Sequence, residues 1–282
     1  MPRQPAARSA PQNAFVLGGG GVLGASEVGM LRALLEAGIT PDLVVGTSIG
    51  ALNGAFLAAD PTVATTVRLA ELWRELSAEG GAFAGSIVDR VGTAVRSKTH
   101  LHRRDPLRKM LETHLPVERI EELAVPFQCV AASIERAAEH WFDSGPIAPA
   151  VMASCAVPGL LAPVEIDGEH YLDGGLVNSI PVSRAVDLGA QTVWVLQVGR
   201  IETPLVPPTR PWEVALVAFE IARRHRFATD MARLPTGVTV HVLPSGEQRV
   251  PSAQLRYRSS RGVAKRVETA YDASTAYLEA LA

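Results

Sequence analysis

The sequence predicts an α/β fold around a mostly parallel sheet. Two β-α units follow one another near the N-terminus, an order that suggests parallel strands joined by right-handed crossovers. In each, a short apolar strand runs into a glycine-framed turn and then a helix. Phe15-Val16-Leu17 leads into Gly18-Gly19-Gly20-Gly21-Val22-Leu23-Gly24, and Leu43-Val44-Val45 into Gly46-Thr47-Ser48-Ile49-Gly50. Of 282 residues, 47% are hydrophobic and only 5% aromatic, a balance suited to helices packed closely on a sheet rather than to a stacking platform for nucleic acid.

Met1 to Asn13 is rich in Pro, Ala and Arg and lacks an apolar stretch, so it reads as a disordered tail rather than a signal peptide. Phe15 to Leu17 is the first strand. Val22 to Ala37 is helical, with Val28, Leu31, Leu34 and Leu35 on one apolar face; Gly38 and Pro41 stop it. Leu43 to Val45, all apolar, is a strand buried on both faces. Ile49 to Ala59 is a helix of small residues. Pro61 to Leu76 is another, with Val63, Val67, Leu72 and Leu76 on its apolar side. Ser77 to Arg104 has weak periodicity, several glycines and a basic end, and reads as a lid-like segment or an exposed loop. An amphipathic helix follows from Pro106 to His114. Phe127 to Ile134 and His140 to Phe142 pair as strands, and Ile147 to Ala156 is a helix ended by Pro158. Tyr171-Leu172 is strand-like, and Gln191 to Val198 is a strong central strand. Thr203 to Pro211, with four prolines, is a linker. A helix to about Leu234, a strand from Val238 to Leu243 and a helix from Val263 to Leu281 complete the chain. The expected organisation is a tail (1–13), a main domain (14–199) and a Pro-rich linker with a helix-strand-helix segment packed on that domain (200–282).

Lys+Arg number 27 against 29 Asp+Glu, a net charge of −2, so no global field points to DNA or RNA. No apolar run approaches the roughly 20 residues of a membrane span. Cys129 and Cys155 make no disulfide framework, and no Cys/His cluster has metal-ligand spacing. The expectation is a cytoplasmic protein with no metal, no cofactor and no nucleic-acid partner.

The chemistry lies in the turns. Gly46-x-Ser48-x-Gly50 between an apolar strand and a helix is a nucleophile elbow, its serine at a tight, surface-facing tip and its glycines placed where a Cβ would clash. The first glycine loop presents a row of backbone N–H groups at a helix start, as a developing oxyanion requires. Gly19-x-Gly21-x-x-Gly24 also matches the dinucleotide fingerprint. That reading needs an acidic residue ending the second strand, where the chain has Gly46-Thr47-Ser48, and it loses. A serine nucleophile needs a base. None of the seven histidines follows a strand at a turn-marked position. His225 sits in a basic helical run and His241 alternates within a strand. Asp173, followed by Gly174 and Gly175, is the remaining candidate.

Gly19–Gly24, Gly46–Gly50, Asp173–Gly175 and Ala153–Gly159 together resemble the patatin-like phospholipase family over about Asn13 to Gly199. The resemblance implies a three-layer α/β/α sandwich and a Ser–Asp dyad without histidine. Ser48 matches the nucleophile, Asp173 the base, and Gly19, Gly20 and Gly21 the oxyanion-hole glycines; Ala153–Gly159 matches a segment that helps shape the site. Leu23 stands where family members usually carry Arg or Lys. The implied function is hydrolysis of a lipid acyl ester. The alternatives are an esterase or thioesterase acting on small soluble substrates, and a lipid-binding regulatory protein of low activity. Arg96, Lys98, Arg103, Arg104 and Arg108 are either simply solvated, the favoured reading, or touch anionic membrane.

Overall fold

The computed structural model describes residues 11–78, 105–158, 161–198, 204–209, 211–246 and 260–282. The expected lid-like segment from residue 79 onward lies outside them, as do residues 1–10, His100, His102, Arg96, Lys98, Arg103, Arg104, Gly159 and Thr203.

The sheet grows from β1 (Asn13–Leu17), whose last four residues are fully buried. Parallel neighbours flank it: β2 (Leu43–Thr47) and then β3 (Phe127–Ser133) on one side, β7 (Thr192–Leu196) and then β8 (Thr239–Val242) on the other. Antiparallel additions close the β3 end: β4 (Ala138–Phe142) and β6 (Glu169–Asp173) on β3, and β5 (Val164–Ile166) on β6. Among the described residues the sheet has eight strands and is parallel through its centre.

Side-chain alternation sends Phe15 and Leu17 to one face of β1 and Ala14 and Val16 to the other, and each face carries its own core. The first is covered by α1 (Ala25–Glu36), α2 (Ile49–Ala59), α3 (Val63–Ala78), α4 (Asp105–His114), α5 (Ile147–Ser154) and the last helix, α8 (Ser260–Glu279). The second is covered by α6 (Val182–Asp187) and α7 (Pro211–Ala232). This is the expected three-layer sandwich. The C-terminal segment is built into it: β8 extends the sheet, and α8 lies so close on α1 that a Cβ at Gly29 would meet the Val267 carbonyl oxygen at 2.1 Å.

Several boundaries differ from the sequence reading. β1 starts at Asn13, and Pro11 and Gln12, counted with the tail, accept hydrogen bonds from the Gln191 and Thr192 amides. The helix expected from Val22 begins as a 3-10 turn over Gly21–Gly24, closed by Leu23 N–H to the Gly20 carbonyl, and becomes α-helical only at Ala25. On α3 the expected apolar face packs on the core at Val63, Leu72 and Leu76, but Val67 is 56% exposed, and the buried apolar residues are Leu69, Leu72 and Trp73. The β5–β6 hairpin was missed. Its two-residue turn, Asp167-Gly168, has positive φ at both positions (51° and 81°), which is the geometry an Asp-Gly pair favours.

Candidate active site

The register of β3 brings the two candidate residues together. β2 runs parallel to β3 and ends with Thr47 opposite Val130. β6 runs antiparallel and ends with Asp173 opposite Ala131. β4 occupies the other edge of β3 from Cys129 to Ser133, so β2 and β6 share one edge and meet end to end. Ser48, one residue past β2, therefore faces Asp173 across 125 residues of sequence.

Ser48 Oγ donates a 2.6 Å hydrogen bond to Asp173 Oδ2. Ser48 caps α2 with φ 55° and ψ −124°, a backbone state that costs a non-glycine residue about 1–3 kcal/mol and persists only where its surroundings enforce it. Those surroundings are visible on either side. A Cβ on Gly46 would lie 2.6 Å from the Ala51 Cα, and one on Gly50 would lie 2.3 Å from the Leu17 carbonyl oxygen. The Ser48 N–H is held at 2.8 Å by Ser154 Oγ at the end of α5, and the Asp173 N–H at 2.9 Å by the Ala156 carbonyl. The Ala153–Ala156 stretch thus anchors both backbones. The serine is not the expected surface tip: it is only 6% exposed, and Asp173 only 3%.

Burial sets the electrostatics of the pair. It raises the Asp173 carboxyl from 3.8 to about 6, against the lowering effect of hydrogen bonds from Ser48 and from the Gly175 amide, which donates to Oδ1 at 2.7 Å. Of the two glycines after Asp173, Gly174 is demanded by backbone contact and Gly175 is closed in by a side chain. A Cβ at Gly174 would lie 2.1 Å from the Val130 carbonyl oxygen, and one at Gly175 would lie 2.7 Å from Phe219 Cζ.

The first glycine loop stands over the serine, with the position of a Gly19 Cβ only 3.5 Å from Ser48 Cβ. One expectation needs correction. The Gly19 N–H is donated to the Ser179 carbonyl at 2.8 Å, so it is committed to holding the loop; the amides of Gly20 and Gly21 have no such partner among the described residues. Gly24 lies where a Cβ would press on Ile49 at 2.7 Å, which seats the loop on the start of α2. Leu23 is half-buried against Gly20, where a Gly20 Cβ would reach Leu23 Cβ at 4.0 Å.

Sequence reading missed Asn178 and Ser179. The Asn178 carbonyl accepts from Thr47 Oγ1 at 2.8 Å beside the elbow, and the Ser179 carbonyl accepts from Gly19. The short strap after Asp173-Gly174-Gly175 therefore ties the elbow and the first glycine loop together, through carbonyls that no side-chain motif announces. Below the loop, Glu27 is fully buried and accepts from Asn53 Nδ2 at 2.7 Å; Asn53 Nδ2 also reaches the Gly24 carbonyl (3.0 Å), and Trp73 Nε1 reaches Asn53 Oδ1 (3.1 Å). Burial raises the Glu27 carboxyl well above the usual carboxylate range.

Among the described residues no histidine bonds to Ser48 or Asp173. His225 is exposed, and His241 stacks on Trp194 at 4.3 Å with Nδ1 3.2 Å from Tyr277 Oη. Arg108 is ion-paired with Glu112 at 2.7 Å. Cys129 and Cys155 are free, buried thiols. No group of three or more His, Cys, Asp or Glu that could hold a metal ion occurs among the described residues, and no described helix is long and apolar enough to cross a membrane.

A three-layer α/β/α sandwich, with an elbow serine bonded to a buried aspartate beneath a glycine loop, defines a class of protein built around a Ser–Asp pair. Within that class the chain belongs to the patatin-like phospholipase family, whose sequence pattern matches residues 15–186. It is 32% identical over 196 residues to Lysophospholipase NTE1 of Mycosarcoma maydis, a match covering 67% of this chain and 10% of that protein. It is also 32% identical over 188 residues to Patatin-like phospholipase domain-containing protein 6 of Homo sapiens, covering 66% of this chain and 13% of that protein. The chain thus spans only a small part of the length of these relatives. Among solved structures, VipD from Legionella pneumophila superposes with a TM-score of 0.49 at 15% identity, covering 96% of this chain and 67% of that one.

Proposed function

We propose that this chain is a serine acyl-ester hydrolase that releases fatty acid from a lipid, with Ser48 as nucleophile and Asp173 as general base. The observation that carries the reading is the 2.6 Å Ser48 Oγ–Asp173 Oδ2 hydrogen bond at a strained elbow. Asp173 takes the Ser48 proton as Oγ attacks the ester carbonyl carbon. The Gly20 and Gly21 amides and the α2 N-terminus receive the oxyanion. Asp173 then passes its proton to the departing alcohol, and the acyl group stays on Ser48. Asp173 next deprotonates a water molecule that attacks the acyl-enzyme, and the fatty acid leaves as Oγ recovers its proton. An ordinary carboxylate near ~4 is a weak base at neutral pH; raised to about 6 by burial, Asp173 is a stronger one that is still mostly ionised at pH 7. The lipid substrate is supported by family membership and by relatives named as lysophospholipases.

A fluorophosphonate probe should label the purified protein on Ser48, with the modified peptide mapped by mass spectrometry. Ser48→Ala should lose labelling and essentially all acyl-ester hydrolysis. Asp173→Asn should be nearly as damaging, on the order of 10⁴-fold, and the double variant no worse, because the two groups act as one unit. Retained turnover in Ser48→Ala, or additive losses in the double variant, would remove the reading.

A further inference from the structure

α7 begins at Pro211, beyond the residues 15–186 that match the family, yet one of its faces reaches both halves of the site. Phe219, Arg223 and Arg226 recur at the four- and three-residue spacing that aligns side chains along a helix. Phe219 is the wall behind Gly175, since its Cζ lies 2.7 Å from where a Gly175 Cβ would be; Gly175 in turn holds Asp173 Oδ1. One turn on, Arg223 is only 6% exposed. Its Nη2 donates to Gln197 Oε1 at 2.6 Å and to the Val198 carbonyl at 3.1 Å, while Nη1 lies 3.2 Å from Glu220 Oε1.

Val198 is the residue on which the oxyanion loop rests. A Cβ at Gly20 would fall 1.8 Å from Val198 Cγ2, and the Gly18 amide bonds to the Leu196 carbonyl two residues before Val198. Arg226 completes the row, with an ion pair to Glu139 at 2.8 Å and a hydrogen bond to the Val177 carbonyl at 3.4 Å in the strap. Burying a guanidinium carries a desolvation cost that a leucine or methionine here would avoid. The hydrogen bonds gained lie on the segment that sets the height of the glycine loop.

We propose that α7 is a positioning element of the Ser48–Asp173 site: Arg223 holds the Gly18–Gly20 loop through Gln197 and Val198, and Phe219 holds the turn that aims the Asp173 carboxylate. The inference rests on the hydrolase reading for its kinetic consequences, but its structural content can be measured without activity. In the full-length protein, hydrogen–deuterium exchange of peptides covering residues 15–24 and 171–178 is compared between wild type, Arg223→Met, Arg223→Lys and Phe219→Ala.

Arg223→Met should raise exchange in 15–24, where the Gly18 and Gly19 amides report, and leave 171–178 near wild type. Phe219→Ala should do the reverse. In parallel, Arg223→Met should lower kcat about 10- to 100-fold, approaching the loss of an oxyanion donor, with KM changed less than about 3-fold, as for a contact made in the transition state. Arg223→Lys should recover part of that loss, because an ammonium still reaches one of the two acceptors. Phe219→Ala should move the acid limb of the pH–rate profile to lower pH, because water then reaches Asp173. Uniform exchange increases across the protein, unchanged exchange in 15–24, or Arg223→Lys no better than Arg223→Met would each overturn the proposal. Full activity in Ser48→Ala would instead sink the hydrolase reading and leave the exchange result standing.

Discussion

Replacing Asp173 by asparagine should destroy activity and at the same time stabilise the folded protein above neutral pH. The carboxyl is raised from 3.8 to about 6 by burial, so the folded state holds this proton more tightly than the unfolded chain does. The sign follows: the group favours folding most below about pH 4, and that advantage is lost as pH rises from about 4 to 6 and does not return above it. A gap of about two pH units at about 1.36 kcal/mol each gives about 3 kcal/mol. Asparagine carries no such term. Its carbonyl can accept from the Gly175 amide and its NH₂ can donate to Ser48 Oγ, so no polar group is orphaned at the two contacts Asp173 now makes. Urea unfolding of both proteins from pH 4 to 8, at equal m-values, reads the difference directly. All other ionisable groups are common to both and cancel. The variant should match wild type near pH 4 and exceed it by up to about 3 kcal/mol at pH 8. A difference that does not vary with pH, or a less stable variant at pH 8, would refute the argument that burial drives the shift.

Three further outcomes are expected. For wild type, kcat/KM should fall tenfold per pH unit below about 6 as Asp173 takes up a proton; a limb set by the ordinary carboxylate range in steady-state ester assays would contradict it. Glu27→Gln should flatten the stability loss that wild type shows on raising pH above the usual carboxylate range, because the buried Glu27 carboxyl is raised and prefers to stay protonated; denaturation midpoints at pH 5 and 8 decide this. Gly174→Ala should cost about 1–3 kcal/mol or more, since its methyl would sit 2.1 Å from a backbone carbonyl on β3 that a side-chain rotation cannot clear. It should also depress activity by moving Asp173, and an unchanged thermal midpoint would show that the turn yields.

What the sequence disclosed is what the backbone demands locally. Ser48 between Gly46 and Gly50 is legible because two Cβ atoms do not fit there, and Gly174 marks Asp173 for the same reason. Apolar β1 and β2 followed by small-residue turns imply parallel pairing. Long-range partners left no such mark. Gly19 looks like its neighbours in sequence, yet its amide is taken by a carbonyl 160 residues away, at Ser179. Val67 was misread on α3 because it fits the helical spacing of Val63, Leu72 and Leu76, and only the position of α1 and α8 decides that it faces outward. The Asp167-Gly168 hairpin was in plain view, but its flanking strands, Val164–Ile166 and Glu169–Asp173, are only three and five residues long, and the second lacks clean alternation. As for Arg223, a lone arginine in a basic helical run resembles any solvated cation until the end of β7 is placed beside it.

The end-to-end meeting of β2 and β6 on one edge of β3 has a consequence in time. The ribosome delivers the elbow serine 125 residues before the aspartate, and the helix that braces both turns later still. Chains grow at about 5–20 residues per second and fold largely by whole domains, so on the proposed mechanism the nascent protein carries Ser48 for about 6–25 seconds before Asp173 exists to activate it. A truncated or half-folded copy exposes a serine but no paired carboxylate. On the proposed mechanism, activity waits until β2 and β6 have met on the shared edge of β3, a timing set by strand order.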